Sequence, residues 1–197
     1  MNNLRVIAGT ARRTGLIAPK GQNTRPTADR IKENIFNIIT SYVQNAHFLD
    51  LFAGSGAMGI EALSRGAGMA VFVDSAKDAV SVILANLTNT KFAARAHVLP
   101  MCALTAIPKL EQDGRKFDII FLDPPYGQGL MQQALTALVK HNILSQDGLI
   151  IAECAANEPT YEVAGLAVHD IRKYGSTRLI FYMSDKMFYA AAEGGMN

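Results

Sequence analysis

The stretch Asp50–Gly59, which reads DLFAGSGAMG, decides the fold class of this 197-residue chain. It lies where an apolar run gives way to an amphipathic one, which predicts a strand that passes through a glycine loop into a helix. Apolar and amphipathic runs alternate in the same way from His47 to residue 153, so we expect βαβ units in a parallel sheet with helices on both faces. Two strand-like runs, 162–172 and 177–183, predict an antiparallel pair near the C-terminus. The expected fold is an α/β, Rossmann-like three-layer sandwich with a seven-stranded, mostly parallel sheet.

Composition limits the classes of protein to which the chain can belong. With 49% hydrophobic and 18% charged residues, it is a globular chain rather than a disordered one. Its two cysteines, Cys102 and Cys154, cannot form a disulfide framework, and neither they nor the four histidines have metal-site spacing. No metal is therefore expected. The absence of an apolar run long enough for a signal peptide or a membrane span predicts a cytoplasmic protein.

Charge is distributed unevenly along the chain. Residues 1–32 contain seven basic residues and one acidic residue, a net charge of +6, whereas the other 165 residues carry a net charge of −4. The segment before the first expected helix also reads as a small hairpin, so we expect a basic N-terminal hairpin and helix extension that meets a polyanionic partner. A solvated terminus without a partner is the alternative. The candidate contact residues are Arg12, Arg13, Lys20, Arg25 and Arg30. For Arg25 and Arg30, which lie next to the first expected helix, ordering a lid over a bound ligand is the alternative role.

The glycine loop predicts a nucleotide-like ligand. Gly54–Gly59 matches G-x-G-x-x-G, and Asp74 follows at the end of the next expected strand, where a carboxylate can bind a ribose hydroxyl pair. Asp50 would repel the pyrophosphate of a dinucleotide, but it complements the sulfonium and ammonium groups of S-adenosylmethionine. A purely structural turn is the third interpretation. The expected cofactor-binding residues are Asp50, Phe52, Ala53, Gly54, Ser55, Gly56, Asp74, Cys102 and Ala103.

Cys102 and Ala103 are included because the adenine of such a ligand is expected after the third strand. Cys102 could line the adenine edge while the backbone N–H of Ala103 donates to the ring. A buried structural cysteine is an equal alternative for Cys102.

The second motif, Asp123-Pro124-Pro125-Tyr126, follows the apolar run 117–122 and predicts the chemistry. This pattern is the signature of enzymes that methylate exocyclic amines of nucleobases, whose nitrogen lone pair is delocalised into the ring. If the Asp123 carboxylate and the Pro124 carbonyl accept hydrogen bonds from both N–H groups of the amine, the lone pair of its nitrogen can turn toward the methyl group. Tyr126 would stack on a base taken out of its helix. A rigid diproline turn without chemistry is the alternative, and carbon-5 methylation is disfavoured because no cysteine lies in the loop.

These residues resemble the bacterial 16S ribosomal RNA guanine-N2 methyltransferases of the RsmD type over nearly the whole chain. The resemblance is carried by Arg5–Gly9, Arg25–Glu33, Leu49–Gly56, Gly59–Ala67 and Asp118–Tyr126. It implies a class I methyltransferase fold, S-adenosylmethionine as cofactor and a guanine of 16S RNA as substrate, met in the small subunit or its assembly intermediate. The chain departs from the family pattern at two places, because Asp74 replaces the usual glutamate and Cys102 replaces the usual adenine contact.

Three hypotheses follow from the sequence. The first is a guanine-N2 methyltransferase, the second is an N6-adenine methyltransferase acting on DNA or RNA, and the third is a non-catalytic RNA-binding assembly factor. The catalytic motif serves guanine N2 and adenine N6 alike, so it does not separate the first two. We expect a basic extension at 1–26, a methyltransferase domain at 27–185 and a tail at 186–197, in a monomer.

Overall fold

The computed structural model describes residues 4–19, 26–125 and 127–185. Lys20, Arg25, Tyr126 and the expected tail at 186–197 lie outside the described residues. The chain divides into two compact units, one up to Ala103 and one from Leu104 onward.

The first unit contains three parallel strands in the order β3-β2-β1. Its buried core includes Phe48 and Leu49 of β1 and Val71 and Phe72 of β2, because a strand covered on both faces is apolar throughout. The elements are α1 (Pro26–Ile38), α2 (Thr40–Val43), β1 (His47–Asp50), α3 (Ala57–Ser64), β2 (Met69–Val73), α4 (Lys77–Thr90), a 3-10 turn (Ala93–Arg95) and β3 (Ala96–Leu99).

Helix α3 lies against β2 without space for a side chain at Gly59. A Cβ atom at this position would lie 2.3 Å from the ring of Phe72. Ile60 of α3 is fully buried, so the helix packs onto the sheet at its very first turns. The glycine is therefore required by close helix–strand packing, since its own φ angle is not in the left-handed region.

The N-terminal hairpin, residues 4–19, packs onto the outer side of α3. Its two arms are joined by a β-bridge between Arg5 and Gly15, and the Val6 N–H donates to the Thr14 carbonyl at 2.9 Å. The expected small hairpin is thus present. At Gly9, with φ +82°, a Cβ would lie 1.8 Å from the carbonyl oxygen of Ser64, so only glycine allows this approach.

Glu61 of α3 holds the hairpin in place. Its carboxylate is fully buried and accepts hydrogen bonds from the backbone N–H groups of Ile7 at 2.8 Å and Ala8 at 2.9 Å. The same carboxylate pairs with Arg65 at 2.8 Å and with the buried Lys32 of α1 at 3.7 Å. One buried charge therefore joins the hairpin, α1 and α3.

The second unit contains four strands in the order β4-β5-β7-β6. Strands β4 and β5 are parallel, whereas β7 is antiparallel to both β5 and β6. The expected antiparallel pair is confirmed, although its first strand begins at Leu166 rather than at residue 162. The elements are α5 (Ala103–Gln112), β4 (Phe117–Leu122), α6 (Leu130–Lys140), β5 (Leu144–Ala155), β6 (Leu166–Tyr174) and β7 (Thr177–Ser184).

The two units together supply the seven, mostly parallel strands that the sequence predicts. In the part of the chain that the structure describes, none of the helices is long and apolar enough to cross a membrane.

We predict that Glu61→Ala lowers the free energy of unfolding by about 3 to 5 kcal/mol, because it leaves the buried Lys32 and the partly buried Arg65 without their counter-charge. Glu61→Gln, which keeps an acceptor for the backbone N–H groups, should lose less. Urea unfolding measures the difference. The control is Asp113→Ala, whose exposed ion pair with Lys109 at 3.5 Å should contribute little. Equal losses in Glu61→Ala and Asp113→Ala would contradict this account of the hairpin.

Candidate functional site

The loop between β1 and α3 depends on two glycines in the left-handed region. Gly54 has φ +53° and Gly56 has φ +74°, a conformation that costs other residues conformational energy. The Gly56 N–H donates to the Ala53 carbonyl at 2.7 Å, and the Ala53 N–H donates to the Val73 carbonyl at 3.0 Å. The loop is thus a tight turn attached to the end of β2. Gly54 is half-buried, whereas Gly56 is buried and a Cβ there would lie 3.3 Å from Ile83 and from the ring of Phe72.

Asp74, directly after β2, holds this loop from the other side. One carboxylate oxygen accepts the Gly54 N–H at 2.8 Å, and the other accepts the Ala76 N–H at 2.9 Å. The side chain is only half-buried. Because a carboxylate offers about four acceptor positions, Asp74 still has acceptors for a pair of ribose hydroxyls.

Asp50, which the sequence predicts to face a ligand, is buried beneath the glycine loop. It is 1% exposed, and its carboxylate accepts the Gly59 N–H at 3.1 Å in the first turn of α3. The first N–H groups of a helix have no partner within the helix, and a negative charge near them is favourable. Asp50 therefore fixes the start of α3 beneath the loop, and its contact with a ligand stays a prediction.

Asn86 of α4 is a residue of this site that the sequence analysis missed. It is fully buried, and its amide nitrogen donates to the Ser55 and Ile17 carbonyls, both at 2.9 Å. Its side-chain oxygen accepts the Ile17 N–H at 2.8 Å. Asn86 thus ties the glycine loop to the N-terminal hairpin. A polar residue between Ile83 and Leu87 on the buried face of a helix is the signal that could have identified it.

The remaining expected cofactor residues lie around the ends of β1 and β3. Phe52 is half-buried and Ala53 is buried after β1, while Ala103 is buried at the first position of α5. Cys102 is exposed. The alternative interpretation of Cys102 as a buried structural cysteine is therefore wrong, and its contact with adenine stays a prediction.

The catalytic motif follows β4 in the second unit. Pro124 is buried and lines a pocket that also includes Met131, Glu153 and Tyr161. Asp123 keeps an exposed edge, but the protein atoms that crowd its other sides desolvate the carboxylate and raise its pKa to about 6. Its side chain forms no hydrogen bond or ion pair with any residue that the structure describes.

Glu153 of β5 is the second residue that the sequence analysis missed. Leu122, the last residue of β4, pairs with Ala152 in the parallel register of β4 and β5, so Asp123 follows β4 next to Glu153. Burial, together with the negative charge of Asp123, raises the pKa of Glu153 to about 8. An acidic residue directly after the apolar, buried run of residues 149–152 is the signal that could have identified it.

Three of the five basic residues that the sequence predicts as contacts for a polyanion lie in the described part of the chain, and two of them are adjacent. Arg12 and Arg13 are both exposed at the turn of the N-terminal hairpin, whereas Arg30 is exposed on α1. Residues 4–19 form part of the folded first unit, because their backbone is bonded to Glu61, Ser64 and Asn86. The hairpin therefore presents Arg12 and Arg13 on a fixed support.

Comparison with known proteins identifies the family. The family model described as Conserved hypothetical protein 95 matches residues 4–183. The Bacillus subtilis protein YlbH is 38% identical over 180 residues, which cover 91% of this chain and 98% of the relative. Ribosomal RNA small subunit methyltransferase D of Haemophilus influenzae is 36% identical over 79% of this chain and 81% of its own length.

A solved structure shows the same fold over almost the whole chain. The Escherichia coli protein yhhF superposes with a TM-score of 0.80 and 32% identity, over 91% of this chain and 97% of that one. The expected seven-stranded α/β fold is thereby confirmed. The matches also confirm the resemblance found in the sequence: the chain belongs to the Conserved hypothetical protein 95 family, together with the RsmD-type methyltransferases to which it is similar.

Proposed function

We propose that this protein transfers a methyl group from S-adenosylmethionine to the exocyclic N2 amine of a guanine in 16S ribosomal RNA. The observation that carries the proposal is the Asp123–Pro125 turn, with a carboxylate that has no hydrogen-bond partner among the described residues. The names of the relatives support the RNA substrate, since the Haemophilus influenzae and Escherichia coli proteins are ribosomal RNA small subunit methyltransferases.

The glycine loop fits S-adenosylmethionine better than a dinucleotide. Gly54 leaves the backbone of the loop open to close approach, Gly56 shapes the turn, and the half-buried Asp74 retains acceptors for ribose hydroxyls. The buried charge of Asp50 would repel a pyrophosphate at this loop, but it favours the cationic methionine part of the ligand. When bound, S-adenosylmethionine supplies an electrophilic methyl group on sulfur.

The chain's own contribution to the reaction is positioning and electrostatics. The Asp123 carboxylate and the Pro124 carbonyl accept hydrogen bonds from the two N–H groups of the amine. These bonds favour a more tetrahedral nitrogen, whose lone pair is less delocalised into the ring. The nitrogen becomes positively charged as it gains the methyl group, and it must then lose a proton. The Asp123 carboxylate is suited to accept this proton, because its pKa is raised to about 6, close to neutral pH.

The partner in this proposal is 16S RNA in the small subunit or an assembly intermediate, met by a cytoplasmic monomer. The exposed Arg12 and Arg13 support contact with RNA phosphates, and Lys20, Arg25 and Arg30 are further candidates. The basic extension, residues 1–26, together with Arg30, contacts the RNA in this proposal, and the domain at 27–185 transfers the methyl group.

Mass-spectrometric nucleoside analysis of ribosomal RNA tests the function directly. RNA from cells that lack the gene should lose N2-methylguanosine at one 16S position, and the wild-type gene should restore it while Asp123→Ala should not. Loss of N6-methyladenosine instead would identify an adenine methyltransferase. An unchanged nucleoside profile would overturn the proposed function.

For the cofactor, we predict that Asp74→Ala weakens S-adenosylmethionine binding by about 1.5 to 3 kcal/mol, because charge-assisted hydrogen bonds to the ribose are lost. Titration calorimetry measures the affinity. Asp78→Ala, which removes an exposed carboxylate in the first turn of α4, is the matched control and should bind normally. Wild-type affinity in Asp74→Ala, or tight binding of NAD by the wild type, would refute the cofactor assignment.

For the catalytic turn, we predict that Asp123→Ala lowers the single-turnover transfer rate by on the order of 10² to 10⁴, with cofactor affinity nearly intact. The loss follows from the missing acceptor at the amine. Asp147→Ala, an exposed position near the start of β5, is the control and should transfer at the wild-type rate. Near-normal transfer by Asp123→Ala would show that the carboxylate has no such role.

The raised pKa of Asp123 also predicts a pH dependence. As the pH falls through about 6, the carboxylate becomes protonated and loses acceptor capacity, so kcat/KM should decline on the acidic side of that value. Asp123→Asn keeps a carbonyl acceptor and should lose this acidic limb while it retains part of the activity. A wild-type profile that is flat between pH values of about 5 and 8 would be incompatible with the assignment.

For RNA binding, we predict that replacing both Arg12 and Arg13 with Ala reduces the salt dependence of RNA affinity by roughly one to two units, because phosphate contacts are lost. Cofactor binding should not change. The matched control replaces Lys140 and Lys173, two exposed lysines of the second unit, and removes the same charge. An unchanged salt slope and wild-type activity on small-subunit particles in the arginine variant would mean that another surface holds the RNA.

A further inference from the structure

The structure assigns Glu153 as the residue that distinguishes guanine from other purines, by accepting a hydrogen bond from the N1–H of the target base. This inference rests on the proposed function, because it concerns the base whose amine Asp123 would hold. It addresses the choice that the catalytic motif leaves open, since that motif serves guanine N2 and adenine N6 alike.

The first observation is the placement of the two carboxylates. Leu122, the last residue of β4, is in register with Ala152 of β5, so Asp123 follows directly after β4 next to Glu153 of β5. The two carboxyl groups are close enough for the charge of Asp123 to act on Glu153. Two such neighbouring carboxyl groups can converge on two neighbouring donors of one base edge.

The second observation is that Glu153 has no hydrogen-bond partner among the described residues, while the acidic Glu158 in the same pocket is engaged. Glu153 is half-buried in the pocket wall beside Pro124, and it forms no hydrogen bond or ion pair within the described parts of the chain. In the same pocket, Glu158 accepts the hydroxyl hydrogen bond of Tyr161, and its backbone carbonyl accepts a hydrogen bond from Arg178. Glu153 is therefore the free acceptor in this wall.

The groups that face this pair define its charge. Within the described elements, Cys154 of β5, Glu158 and Tyr161 line the same pocket as Glu153, while Arg178 of β7 contacts Glu158 and Cys154, and Tyr182 of β7 lies next to Tyr161. Arg178 is bound to the Glu158 carbonyl, and the pKa of Tyr182 is raised to about 12 by burial, so this tyrosine stays neutral at physiological pH. No described cation pairs with Asp123 or Glu153.

The chemistry of the base edges then decides which purine fits. Guanine presents the N2 amine and the N1–H as adjacent donors, whereas adenine has a bare N1 acceptor beside its amine. A carboxyl oxygen of Glu153 accepts the N1–H, and in its protonated form, which burial and Asp123 favour, Glu153 can also donate to O6. With adenine, the same protonated carboxyl group can still donate its O–H to N1, but its carbonyl oxygen then faces the C2–H of the base. Guanine therefore makes two hydrogen bonds with Glu153 where adenine makes one, and this difference favours guanine.

The test uses 2-aminopurine, which keeps the N2 amine but has neither the N1–H nor O6. Once the modified position has been mapped, its guanine is replaced by 2-aminopurine through ligation of a synthetic RNA segment, and the small-subunit particle is reassembled. For the wild type, we expect kcat/KM for guanine to exceed that for 2-aminopurine by up to about tenfold, the effect of one hydrogen bond. In Glu153→Ala, kcat/KM for guanine should fall roughly 10- to 100-fold and that for 2-aminopurine by a smaller factor, so the preference collapses.

Two further variants complete the experiment. Glu153→Gln keeps a carbonyl for the N1–H and an amide donor for O6, so it should retain guanine methylation within about tenfold of wild type. Glu162→Ala, an exposed acidic residue that does not line the pocket, should keep the wild-type preference.

The inference is overturned if Glu153→Ala lowers both substrates equally, since that is the signature of a merely structural role. It is also overturned if Glu153→Ala behaves as wild type, or if Glu153→Gln loses as much guanine activity as the alanine variant. The last comparison remains decisive if the alanine variant does not fold. Failure of the proposed function is a separate outcome, in which the wild type transfers no methyl group to the guanine-containing particle.

Discussion

The close packing of Gly59 on the ring of Phe72 is the constraint on which the first unit depends. A Cβ at residue 59 would lie 2.3 Å from that ring, so α3 reaches β2 only because the residue is glycine. The position of α3 in turn fixes the loop at its N-terminus, where Asp50 accepts the Gly59 N–H from beneath. The outer side of the same helix carries Glu61, which holds the N-terminal hairpin. One contact between a helix and a strand thus sets both the cofactor loop and the basic surface.

Two buried polar residues connect these parts. Asn86 bonds Ile17 of the hairpin and Ser55 of the glycine loop, while Glu61 bonds the hairpin backbone and two cations. Because buried polar groups are costly unless all their hydrogen bonds are made, such residues specify one arrangement of the surrounding backbone. The exposed Arg12 and Arg13 therefore belong to the same packed unit as the expected cofactor loop, and not to a separate arm.

The sequence predicted the fold well because its signals are local. Buried parallel strands such as β1 and β4 read as uninterrupted apolar runs, and the glycine and diproline motifs mark where strands end. The roles of Asn86, Glu61 and Glu153 could not be predicted, because each depends on contacts between residues far apart in the chain. Asn86, for example, meets Ile17 across 69 positions, and Glu153 meets Asp123 only through the register of β5 on β4. The start of β6 at Leu166 also differs from the prediction, since the preceding residues read as a strand but do not pair with β7.

A crystal structure of the protein with S-adenosylhomocysteine, the demethylated cofactor, tests the central claim most directly. That claim is that the loop between β1 and α3 is built to hold the adenosyl ligand of a methyltransferase. The account predicts ribose hydroxyls hydrogen-bonded to the Asp74 carboxylate and the ligand in van der Waals contact with the backbone at Gly54. A ligand bound elsewhere, or a ribose beyond hydrogen-bonding distance of Asp74, would contradict it.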